Sequence, residues 1–135
     1  MGGLGFAMPA AAGVRMAQPG RPVVAVVGDG AALYGAPVCW TAAHYRIGAL
    51  FVVLSNGRYA VLDRLAERHG ATGPWPPFAE VDVSAVARGF GCAAQRITTH
   101  EELEAALDEV VPTLPERDEP LLLDVVIAPT QTFLP

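Results

Sequence analysis

No run of apolar residues in this chain approaches the roughly 18 to 20 needed to cross a bilayer, because Arg15, the glycines and prolines, and the acidic residues interrupt every hydrophobic stretch. A membrane span is therefore not expected. Basic residues are scarce too: 9 Lys plus Arg against 14 Asp plus Glu leave a formal charge of −5 and a pI near 5.0, without any basic cluster. That balance argues against a nucleic-acid surface, and an anionic ligand would have to be met by local dipoles and a metal. Only two cysteines occur, Cys39 and Cys92, with no zinc-type spacing and no signal sequence ahead of them; buried thiols in a cytoplasmic protein are the expectation. Missing as well are the Gly-Lys-Ser of a P-loop and a G-x-G-x-x-G after a strand, which makes an ordinary doubly wound nucleotide-binding domain a weak reading.

What is present is a core. Hydrophobic residues make up 52% of 135 positions, enough for one well-buried domain, with no internal repeat and no second-domain boundary. Phe6, Ala10, Gly13, Val14 and Ala17 recur at helical spacing before Gln18-Pro19-Gly20 stops them, which predicts a closely packed buried helix from about Gly5 to Ala17. The β-branched run Val23 to Val27 reads as a central strand covered on both faces. A helix is predicted from about Gly35 to Arg46, with Val38, Ala42 and Tyr45 on one face, then a strand from Leu50 to Leu54. A further helix carries Val61, Leu62 and Leu65 and fades by His69-Gly70, with those three read as core. Gly73-Pro74-Trp75-Pro76-Pro77-Phe78 predicts an ordered surface loop anchored by Trp75 and Phe78. Asp82 caps a short helix over Val83 to Arg88, and Ala93 to Ile97 is a strand. Thr99-His100-Glu101-Glu102 opens a helix to about Val111 as a capping box, and Leu121 to Ile127 is a core strand. Strands alternating with helices define an α/β fold with a mainly parallel sheet. His44, His69 and His100 fall in helical or cap positions and read as solvent-exposed.

Chemistry concentrates where two predicted strands end. Gly28-Asp29-Gly30 closes the first, and Ser55-Asn56-Gly57 closes the second, with Asn56 lying 27 residues after Asp29. If the strands are parallel neighbours, a carboxylate and an amide oxygen can converge on one hard cation. The flanking glycines would let a phosphate approach the backbone. Asp29 at the mouth of an apolar strand needs a cation or hydrogen bonds; capping a helix that begins near Ala31 is the bland alternative. Asn56-Gly57 alone is an ordinary turn dipeptide, but a strand before it and a helix after it fit a hairpin poorly.

The G-D-G motif, the spacing and the Asn-centred turn resemble the magnesium and diphosphate signature of thiamine-diphosphate-dependent enzymes. Upstream, Gly2-Gly3-Leu4-Gly5-Phe6-Ala7-Met8-Pro9-Ala10-Ala11 resembles the segment that lies against the thiamine rings in the benzoylformate decarboxylase and acetolactate synthase group. The resemblance implies a three-layer α/β/α pyrophosphate domain covering nearly the whole chain. It implies that Asp29, Asn56 and the carbonyl of Arg58 hold Mg²⁺, and that the amides of Gly30, Ala31 and Ala32 meet the diphosphate. Gly2 would accept from the aminopyrimidine and Leu4 would prop the cofactor in its bent form. Tyr59, Ala60, Val61 and Leu62 would cover the diphosphate and thiazolium side, with Leu62 and Leu65 toward substrate. Two departures stand out: Ala31 lacks the hydroxyl common after the second glycine, and Ser55 replaces the first of two consecutive Asn.

The same resemblance implies a 2-keto acid substrate and decarboxylation or carboligation carried by the cofactor, so no catalytic acid or base is expected in this chain. It implies a homodimer or homotetramer in which the pyrimidine domain of a sibling subunit completes the site. No segment here resembles that domain or the middle domain, so the chain reads as a fragment or as one part of a two-chain enzyme. A truncated, non-catalytic interaction module is the rival reading.

Overall fold

The computed structural model describes residues 3–128. Four strands, β1 (Val24–Gly28), β2 (Leu50–Ser55), β3 (Ala93–Ile97) and β4 (Leu121–Val126), form one sheet in the order β1-β2-β4-β3, and every pairing is parallel. Among the described residues six α-helices accompany them, one ahead of β1 and five between strands: α1 (Ala7–Ala17), α2 (Asp29–Gly35), α3 (Val38–His44), α4 (Ala60–Arg68), α5 (Val83–Gly89) and α6 (His100–Val110). The alternation read from the sequence is thus an α/β fold with an all-parallel sheet.

Side chains alternate across the strands and create two cores. On one face Ala25, Val27, Phe51, Val53 and Leu122 pack with Met8 and Ala12 of α1, Cys39 and Ala42 of α3, and Ala87 of α5. On the other, Leu50, Leu123, Val125 and Ile97 pack with Ala106 and Val110 of α6. Helices on both faces make the three layers.

Several expectations fail for identifiable reasons. The first strand is an edge, not a centre: Val24 and Val26 are 46% and 62% exposed on the α6 side, while Ala25 and Val27 are buried. A β-branched run reads alike at an edge and in the middle of a sheet. In α1 the buried row is Met8, Ala11, Ala12 and Arg15, whereas Phe6 and Val14 are exposed. That helix is apolar on both sides, so periodicity alone picked the wrong one. Arg15 is buried because its guanidinium is satisfied by the carbonyls of Arg21, Pro115 and Arg117, at 2.6, 3.1 and 2.7 Å. The helix expected from about Gly35 to Arg46 is α3, which starts only at Val38, because Ala36-Pro37 separates it from α2. Proline has no N–H and collides with the preceding turn. Cys39 and Ala42 carry the buried face of α3, and Tyr45 is exposed. Val61, Leu62 and Leu65 are not core: α4 has no buried residue, and the three are 61%, 37% and 52% exposed.

The remaining signals hold. Asp82 accepts from Ala85 N, Thr99 and Glu102 form the capping box, and Trp75 and Phe78 are half-buried in the 71–79 loop. The three histidines are exposed.

Candidate functional site

Because β1 and β2 are parallel with Gly28 opposite Leu54, their carboxyl ends lie side by side. Asp29 is the first residue of α2, with Gly28 as its N-cap, so the expected G-D-G turn is the strand's last residue and the helix's first two. Its carboxylate is 5% exposed. Oδ1 accepts from Gly30 N at 2.8 Å, while Oδ2 accepts from Asn56 N at 2.8 Å and Gly57 N at 2.6 Å. The two strand ends are therefore tied through one side chain. Among the described residues Asp29 has no basic partner: the Arg58 guanidinium turns away to Asp63.

The Asn56 side-chain oxygen accepts from Arg58 N at 3.1 Å, closing an Asx turn that holds Asn56 and the Arg58 peptide together. Gly57 sits at φ +69°, and a β-carbon there would stand 2.7 Å from Ala79 Cα, so glycine is required on both counts. Ser55 points beneath the turn and donates to Asp124 Oδ1 at 2.5 Å. Asp124, wholly buried on β4, also accepts from Arg96 Nη1 at 2.8 Å and Ser84 N at 3.3 Å. This explains a serine before Asn56: its hydroxyl braces the Asn56 turn on a buried, paired carboxylate. Sequence reasoning missed Asp124, although an acid inside Leu121-Leu122-Leu123-Asp124-Val125-Val126 is the kind of buried charge that demands partners.

Above these groups lies a cavity of about 590 Å³ lined by residues that include Leu4, Asp29, Gly30, Ala31, Asn56, Arg58, Tyr59, Ala60, Val61 and Leu62. All nine of the expected cofactor-binding residues that lie among the described residues, together with Leu62, thus share one cavity, and Gly30's amide is already given to Asp29. Gly2 lies outside the described residues, and Leu65 does not line this cavity. Tyr59 lies over Gly30, its ring edge-on to Phe78 with centroids 5.0 Å apart. Burial and the neighbouring Tyr34 hydroxyl push the Tyr59 phenol up.

The donor set suits a hard cation. Among the described residues no cluster of three His, Cys, Asp or Glu forms, so a metal here would rest on one carboxylate, one amide oxygen and a main-chain carbonyl. Such all-oxygen sets with few protein ligands leave positions for water and phosphate oxygens, as Mg²⁺ prefers. An apolar cavity floored by oxygens, with a glycine under its aromatic wall, fits a diphosphate cofactor with an organic body.

This chain belongs to the family described as thiamine pyrophosphate enzyme, C-terminal TPP binding domain, which matches residues 1–125. It is 44% identical to benzoylformate decarboxylase of Pseudomonas aeruginosa, over 99% of this chain and 24% of that protein. It is 30% identical to the acetolactate synthase isozyme 2 large subunit of Escherichia coli, over 100% of this chain and 24% of that one. The thiamine diphosphate-dependent 4-hydroxybenzoylformate decarboxylase of Rhodococcus jostii RHA1 superposes with a TM-score of 0.85 at 30% identity, covering 96% of this chain and 24% of that chain. The chain spans about a quarter of the length of the relatives it matches. Thiamine diphosphate is the family's cofactor, and Mg²⁺ is its usual companion. Among the described residues no helix is long and apolar enough to cross a membrane.

Proposed function

We propose that this chain is the pyrophosphate domain of a 2-keto acid decarboxylase of the benzoylformate decarboxylase type, with Asp29, Asn56 and the carbonyl of Arg58 holding Mg²⁺. The observation that carries the reading is the Asp29 carboxylate, buried without a basic partner and bonded to the amides of Asn56 and Gly57 at the mouth of the cavity. The 44% identity over nearly the whole chain supports the decarboxylase over the carboligase reading.

When bound, the cofactor would supply the carbon nucleophile and the electron sink for cleavage of the bond beside a 2-keto group. The chain's residues bind and orient. Asp29 and Asn56 would hold the cation that offsets the diphosphate charge at the strand ends, the start of α2 faces the same place, and Tyr59 walls the cavity above Gly30. Leu4, Val61 and Leu62 line an open side and remain exposed, which supports a pyrimidine domain from a sibling subunit of a homodimer or homotetramer packing there. A fragment lacking the pyrimidine and middle domains agrees with the quarter-length match. Buried free thiols at Cys39 and Cys92 suit a reducing compartment such as the cytoplasm.

Calorimetric titration of the purified chain with thiamine diphosphate, with and without Mg²⁺, tests this reading. Mg²⁺-dependent binding that Asp29→Ala and Asn56→Ala each abolish, with both variants folded by circular dichroism, is the expected result. A folded wild-type chain that binds neither would leave an interaction module.

A further inference from the structure

The turn that carries Asn56 and Arg58 is followed by a helix with no buried residue, so core packing does not fix where α4 starts. A closed set of contacts on its outer side does. Asp63, in the first turn of α4, accepts from Arg58 Nε at 2.7 Å through one carboxylate oxygen and from Trp75 Nε1 at 2.8 Å through the other. The 71–79 loop then returns to the turn, where Phe78 N donates to Gly57 O at 2.8 Å and Ala79 packs on the Gly57 α-carbon. The Trp75 indole folds over Gly73 so closely that a β-carbon at 73 would overlap the ring. Together these groups enclose a second cavity of about 570 Å³, lined in part by Arg58, Asp63, Glu67 and Trp75.

Arg58 is therefore held at two points. Its amide is bound by the Asn56 side chain, and its guanidinium by Asp63. Fixing both ends of one residue restricts its main-chain dihedrals, and so the direction of its carbonyl. An exposed ion pair alone is worth little to stability, and this one has its two side chains 48% and 21% exposed. Its effect should appear in the geometry of the turn and not in the fold.

We propose that Asp63 is a positioning residue for the metal subsite: by holding the Arg58 side chain and the Trp75 loop at once, it aims the Arg58 carbonyl and sets the affinity for the divalent cation. This rests on the metal site proposed above. Residues one step behind metal ligands typically change metal affinity by 10- to 100-fold when altered, and the pairing of Arg58, Asp63 and Trp75 was not foreseen from the sequence.

The test is Mn²⁺ binding to the purified chain at saturating thiamine diphosphate, followed by electron paramagnetic resonance, with Mg²⁺ competition. Asp63→Asn and Trp75→Phe should each raise the metal Kd about 10-fold. The double variant should be no weaker than the worse single one, because the two act through one carboxylate. Asp63→Glu should recover part of the loss, and Asp108→Asn at an exposed position of α6 should change nothing. Urea midpoints within error of wild type separate positioning from unfolding. Wild-type binding with an unchanged Kd in Asp63→Asn overturns this proposal alone, as does a loss that Asp108→Asn shares. A wild-type chain that takes up no metal overturns the metal site and this proposal with it.

Discussion

The ring of Tyr59 rests on the α-carbon of Gly30, so that a β-carbon at position 30 would stand 2.8 Å from Tyr59 Cδ1 and closer still to Cε1. Gly30 is thus needed for the wall of the cavity. Tyr59 has little room to retreat, since Phe78 meets its ring edge-on and Tyr34 lies beside its hydroxyl.

Gly30→Ala should therefore destabilise the chain by about 1–3 kcal/mol, the usual cost of overpacking. The sign should reverse in a Tyr59→Ala background. Position 30 lies in α2, where alanine is better than glycine by about 0.5–1 kcal/mol once the collision is gone. Urea midpoints of the four proteins in this cycle measure the coupling. Equal costs in the two backgrounds would show that Tyr59 moves freely.

The strand ends were legible because their signals are local. Gly28-Asp29-Gly30 and Asn56-Gly57 each follow an unbroken apolar run, and parallel pairing then brings them together. What was illegible depended on neighbours distant in the chain. In α1, alanine and glycine leave both faces apolar, so the choice of Met8, Ala12 and Arg15 for the interior is made by the carbonyls at Pro115 and Arg117 that receive the guanidinium. Exposure of Val26 follows from β1 being an edge strand whose α6-side face no described element covers, which a list of valines does not contain. The stripe Val61, Leu62 and Leu65 is amphipathic and reads as core, yet no element of the described residues covers it. Asp63 and Asp124 escaped notice for a shared reason. Each derives its role from partners far along the chain, Trp75 for one and Ser55 and Arg96 for the other.

Acid should weaken the starts of α5 and α6, which rely on carboxylates. Glu102 accepts from the amides of Thr98 and Thr99, and Asp82 accepts from the Ser84 hydroxyl and the Ala85 amide. These bonds hold both carboxyls below their ordinary values of 4.5 and 3.8. A group with a depressed folded value contributes stability that is present above its unfolded value and lost as the pH falls through its folded one. Urea midpoints should thus decline below about pH 4.5, and the double variant Glu102→Gln, Asp82→Asn should decline less steeply. At pH 7 the variant should stay close to wild type, since glutamine serves a capping box and asparagine an N-cap nearly as well. A parallel decline in both proteins would place the acid sensitivity elsewhere.

Cys39 on α3 and Cys92 before β3 are distant in sequence but pack side by side in the core beneath β2, each 1% exposed. The neighbouring Cys39 thiol, together with burial, pushes the Cys92 thiol up, away from the thiolate that reacts with alkylating agents. In the native protein at pH 8, iodoacetamide should modify the pair at least about 100-fold more slowly than in guanidinium, an opening free energy of about 2.7 kcal/mol or more. Because both thiols sit in one core cluster, they should become reactive together as urea is added, at the midpoint of global unfolding. Mass spectrometry of quenched time points counts the modified thiols directly. A population carrying one label well below that midpoint would show instead that α3 or the β3 end opens by itself, and the core joining them would not be a single cooperative unit.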